Sequence, residues 1–108
     1  MLRWIDSGEP LPSAILTGTD LAAISVLDAL KSRGLQVPAD ISVIGYDDIY
    51  EARHLNPPLT TISQDISGTV QTLVRTLLAL RDGEVPAEKE RIVNTALVIR
   101  KSTGKAPN

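Results

Sequence analysis

The sequence predicts an α/β protein built on an open, doubly wound, mostly parallel sheet. Three observations carry that class. The segments run in the order helix end, strand, helix, strand, loop, strand, helix, strand. The strand segments read as apolar or β-branched runs rather than strict alternations, as strands covered on both faces do. The helices end in their own stop signals, Gly followed by Pro, so the elements separate cleanly. Strands joined through crossover helices run parallel, with right-handed connections.

Taken in order, residues 2–7 read as the end of a helix, stopped at Gly8 with Pro10 and Pro12 beyond. A short apolar strand follows at residues 14–17. Thr19 is placed to cap a helix over 20–33, and Asp20 suits the positive end of its dipole. That helix closes at Gly34 and is apolar on more than one side, which predicts cover on more than one side. The second strand spans 41–45 and leads directly into Tyr46-Asp47-Asp48. Residues 49–59 are irregular with room for one helical turn, and residues 60–63 form a third strand. The next helix, 65–81, carries Ile66, Val70, Leu73, Val74, Leu77 and Leu78 on one face at helical spacing. Asp65 is placed to cap it, and Gly83 and Pro86 stop it. Residues 91–100 are β-rich, and residues 101–108 read as a polar, solvated tail.

Composition narrows the function. The 108 residues allow one domain and leave no room for two. A hydrophobic fraction of 43% with 22% charged residues is that of a soluble globular chain, which excludes a disordered tail. No uncharged apolar run is long enough for a spanning helix, so no membrane partner is expected. The first ten residues lack the features of a signal peptide. Zero cysteines exclude a disulfide scaffold and fit a reducing, cytoplasmic setting. With 11 Lys and Arg against 13 Asp and Glu, the net charge of -2 argues against this chain itself gripping nucleic acid.

In open α/β sheets, ligands bind beyond the carboxyl ends of the strands. Three polar clusters fall there: Thr17-Gly18-Thr19-Asp20, Tyr46-Asp47-Asp48 and Ser63-Gln64-Asp65. Carboxylates, an amide and hydroxyls converging on one edge suit a ligand rich in hydroxyls. Structural roles compete with this reading. Asp20 and Asp65 sit where helix caps sit, and the cap is favoured for both. For Asp47 and Gln64, a ligand contact and a local structural role remain equally open. Trp4, one of only three aromatic residues, is the first candidate to stack on a sugar, although a core position is the commoner fate.

Catalytic readings fare poorly. Side chains of the adjacent Asp47 and Asp48 would diverge in an extended segment. His54, the only histidine, has no nucleophile elbow to serve. There is no phosphate-binding glycine loop and no metal-ligand spacing, so neither cofactor nor metal is expected.

Several blocks resemble the LacI/GalR family of bacterial transcription repressors. They are Pro12-Ser13-Ala14-Ile15-Leu16, Thr19-Asp20-Leu21-Ala22-Ala23, residues 37–48, Pro57-Pro58-Leu59-Thr60-Thr61-Ile62-Ser63-Gln64, and Leu97-Val98-Ile99-Arg100-Lys101-Ser102-Thr103. They occur in order over nearly the whole chain. The resemblance implies a partial C-terminal lobe, residues 1–108, of a periplasmic-binding-protein-like effector core. The helix-turn-helix, hinge and N-terminal lobe would lie outside it, so operator DNA would be met only through those missing parts. It implies no enzyme activity. It implies effector contacts at Asp47, Thr19 and Gln64. Thr19 stands where many relatives carry Asn, which leaves the effector, a sugar or related polyol, open. It also implies a homodimer interface drawn from Ala22, Val26, Ala29, Asn56, Pro57, Pro58 and Leu59. The competing reading is a lobe of a periplasmic-type sugar receptor, and an enzyme of the doubly wound class stands third.

Overall fold

The computed structural model describes residues 2–85, 90 and 92–106, with the side chains of residues 2 and 4 excepted. The elements are α1 (Leu2–Ile5), β1 (Ala14–Leu16), α2 (Asp20–Lys31), β2 (Ser42–Asp47), a 3-10 turn (Tyr50–His54), β3 (Thr60–Gln64), α3 (Ile66–Arg81) and β4 (Thr95–Val98). The strands form one open sheet in the order β1-β2-β3-β4. β1 pairs with β2 in parallel (Ile15 opposite Val43), and β2 with β3 in parallel (Ile44 opposite Thr60, Asp47 opposite Ser63). The chain divides into two compact units, residues 1–63 with 97–108, and residues 64–96.

The glycine stop signals act as expected. Gly34 has φ +73 and Gly83 φ +84, a region that glycine enters without a Cβ penalty. Gly34 N donates to Lys31 O and Leu35 N to Leu30 O, so two orphan carbonyls of α2 are satisfied. Gly83 N to Leu80 O and Glu84 N to Ala79 O repeat the motif after α3. The second strand differs from its prediction. It runs to Asp47 rather than Gly45, because Tyr46 and Asp47 pair with Ile62 and Ser63 of β3.

The core of the first unit lies between α2 and the sheet. Ala23, Val26, Leu27 and Leu30 of α2 pack with Ile41, Val43, Ala52 and Leu59. β1 stands at the sheet edge, with Leu16 68% exposed. The expected solvated tail is corrected at Ser102 and Thr103, while Lys101 and residues 104–106 are exposed. Ser102 is fully buried: its Oγ accepts from Thr60 N at 2.8 Å and donates to Val43 O at 2.6 Å. Val43 N returns a bond to Ser102 O, and Lys101 N donates to Pro58 O. The segment after β4 therefore stitches β2 to the start of β3.

In the second unit, Asp65 caps α3 as expected, its Oδ1 accepting from Gly68 N at 2.9 Å. The apolar face of α3 is present but exposed: no residue of this helix is buried, and Leu73 and Leu77 are 63% and 67% exposed.

Candidate functional site

The site grows from the carboxyl ends of β1 and β2. Because these strands are parallel, Thr19 and Asp47 come to the same edge of the sheet. Asp47 has φ 115 and Asp48 φ 53, both in a region that L side chains rarely adopt. Such backbone persists only where the surroundings over-determine it, and it concentrates at ligand-binding positions.

The surroundings here are specific. Arg100 Nη2 donates to Asp48 Oδ1 at 2.6 Å, with the two side chains only 15% and 16% exposed. The same guanidinium donates from Nη1 to Leu59 O at 2.8 Å, and Arg100 N donates to Thr60 Oγ1 at 2.9 Å. One residue further, Ile49 N donates to Asp20 Oδ2 at 2.9 Å.

Asp20 departs from its expected role. The cap of α2 is Thr19, as the sequence predicts, its Oγ1 accepting from Ala22 N at 3.1 Å, and Asp20 is the acid of the first turn. Asp20 is fully buried and accepts from Thr61 Oγ1 at 2.5 Å as well as from Ile49 N. Its carboxylate links α2, the loop after β2 and the start of β3. A buried carboxylate costs heavily unless it is hydrogen-bonded, and here both oxygens are. Thr17 adds a further tie: its Oγ1 donates toward Thr19 O (2.9 Å) and Ile44 O (3.1 Å).

Of the expected effector residues, Thr19 and Asp47 lie in the first unit at this edge. Gln64 ends β3 and belongs to the second unit. The side chain of Trp4 lies outside the described residues. Among the expected interface residues, Ala22 and Asn56 are exposed, while Ala29, Pro57 and Pro58 are half-buried. Val26 and Leu59 are core residues of this chain at 5% and 0% exposure. The reason is local: Val26 turns inward among the core residues, and Leu59 packs beneath Gly45. Sequence reasoning missed Arg100, Ser102 and the tertiary role of Asp20. The available signal is the Arg-x-Ser-Thr ending, a family mark whose polar side chains also carry long-range bonds.

Among the described residues, no group of three His, Cys, Asp or Glu is placed to hold a metal, and no helix is long and apolar enough to cross a membrane.

Residues 1–103 match the family model of the periplasmic binding protein-like domain. The lactose operon repressor of Escherichia coli (strain K12) is 42% identical over 98 residues, covering 91% of this chain and 27% of that protein. The solved Lac repressor dimer bound to operator and the anti-inducer ONPF superposes with a TM-score of 0.85 at 38% identity, over 94% of this chain and 35% of that one. A LacI family transcriptional regulator from Lactobacillus casei with bound sucrose gives 0.79 at 31% identity, over 94% and 38%. The chain spans about a quarter of the length of the curated relatives it matches. It belongs to the periplasmic binding protein-like domain family, and the relatives it matches there are LacI-type transcription regulators.

Proposed function

We propose that this chain is part of the effector-binding and dimerisation core of a sugar-responsive transcription regulator, with residues 1–108 contributing a partial C-terminal lobe. The observation that carries the reading is the Asp47-Asp48 turn. It presents a carboxylate at the carboxyl edge of a parallel sheet, in left-handed backbone anchored from two sides. A carboxylate so placed accepts bonds from two hydroxyls of one ligand. The sucrose-bound relative supports a sugar or related polyol as the ligand class.

In the parent protein, effector contacts come from Asp47, Thr19, Gln64 and Trp4, shared with a facing lobe. Operator DNA is met through a domain outside this chain, and the setting is cytoplasmic. A ligand between lobes shifts their arrangement only through different affinity for the two states. A homodimer forms through the outer side of α2, at Ala22 and Ala29, with Asn56, Pro57 and Pro58 beside it. The operator-bound relative is itself a dimer, which supports this. No enzyme activity is assigned.

A hybrid repressor tests the reading. Residues 12–103 of this chain replace the aligned segment of the Lac repressor, and operator release is followed across a sugar panel. Asp47→Asn abolishes the sugar response while leaving operator affinity intact. An Asp47→Asn hybrid that responds like its parent would overturn the proposal.

A further inference from the structure

We propose that Arg100 and Asp20 are positioning residues for effector recognition, fixing the direction in which the Asp47 carboxylate leaves the sheet. The inference rests on the reading of Asp47 as an effector contact. Upstream, Asp47 is held by the β2–β3 ladder, where it lies opposite Ser63. Downstream, φ of 115 at Asp47 and 53 at Asp48 turn the chain through backbone that would relax if released. Among the described contacts, two long-range attachments oppose this. The Asp48 carboxylate is gripped by Arg100, and the Ile49 N–H is held by Asp20.

Neither anchor is loose. Arg100 is fixed three ways: by Asp48, by Leu59 O and by Thr60 Oγ1. Its guanidinium presents donors in a rigid fork, so engaging Leu59 O and Asp48 together sets its orientation. Asp20 is fully buried, accepts from Thr61 Oγ1 and Ile49 N, and lies against Gly45. Both anchors end on Leu59 and the first two residues of β3, Thr60 and Thr61. The turn carrying Asp47 is thereby referenced to the sheet on both sides, and a recognition carboxylate needs such preorganisation to contribute affinity.

The test uses the 108-residue chain labelled for NMR, reading the three-bond HN–Hα coupling and Cβ shift of Asp47. The wild type shows the positive-φ signature. Arg100→Met and Asp20→Asn lose that signature while the resonances of the core residues Leu30 and Val43 stay at their folded positions. Arg100→Lys, which retains charge without the fork, restores part of it. Folded Arg100→Met and Asp20→Asn chains that keep the wild-type Asp47 coupling would overturn the proposal. If Arg100→Met does not fold, Asp48→Ala decides for that anchor, since it removes the grip and leaves Arg100 in place; if Asp20→Asn does not fold, Thr61→Val decides for the other, since it removes one of the two bonds that fix the Asp20 carboxylate. The coupling measurement contains no ligand. A failure of the Asp47 reading in the hybrid repressor is therefore distinguishable from a failure of the positioning role.

Discussion

The carboxylate of Asp20 occupies the space that a side chain on Gly45 would enter. A Cβ built on Gly45 collides with Asp20 Oδ1 and stands 2.8 Å from Leu59 Cδ2. Gly45 is thus required by close approach, at an ordinary φ, in the middle of β2. Gly45→Ala drives a methyl into a buried carboxylate that has two bonds to keep. Overpacking of this kind costs about 2–3 kcal/mol. Urea unfolding measures it, and a loss under about 0.5 kcal/mol would show that Asp20 moves aside freely.

Ser102 bridges β2 and β3 with one hydroxyl. Ser102→Ala leaves the buried Thr60 N–H and Val43 C=O without that partner. Each unmet buried group carries a desolvation penalty, so a loss of about 2 kcal/mol is expected. Truncating the chain before residue 100 removes Arg100 as well and should be worse. A Ser102→Ala chain with an unchanged urea midpoint would mean that water replaces the hydroxyl.

The Arg33 guanidinium donates to both oxygens of Asp6 and holds that carboxyl below its ordinary value of 3.8. A depressed carboxyl contributes to stability above its unfolded pKa and loses that contribution as pH falls through the folded one. Arg33 is shifted up from an already high value, so it stays charged throughout. The pair is exposed and its effect on stability is small. The expected readout is the titration itself: Arg33→Met raises the Asp6 midpoint followed by NMR. An unmoved midpoint would show that the ion pair is absent in solution.

Two exposed apolar features favour self-association. β1 is an edge strand with Leu16 68% exposed, and α3 carries a stripe of exposed Leu and Val. Unguarded edges and large apolar patches invite pairing between chains. Light scattering is expected to show dimers or larger species growing with concentration, reduced by Leu73→Lys with Leu77→Lys. A clean monomer at high concentration would contradict this.

Much of the fold was readable because its punctuation is local. Gly34 and Gly83 end their helices through bonds spanning three to five residues, so a short window contains the whole signal. The site was half readable. Asp47 stood out as a polar residue at a strand end, which needs only the strand pattern and the parallel topology. Asp20 did not, because a cap signal at the start of α2 competes with partners 29 and 41 residues away. Arg100 reaches Asp48 across 52 positions, and Ser102 reaches Val43 across 59. No local pattern encodes such pairs, so a polar ending reads as solvated. The α3 face shows the opposite gap: period 3.6 reveals an apolar side and says nothing of what covers it.

On the proposed function, this chain supplies one side of an effector site whose other side lies elsewhere in the parent. Titration calorimetry of the isolated 108-residue chain with D-glucose and sucrose tests it most directly. Weak binding or none is expected. Sub-micromolar binding of either sugar would contradict it.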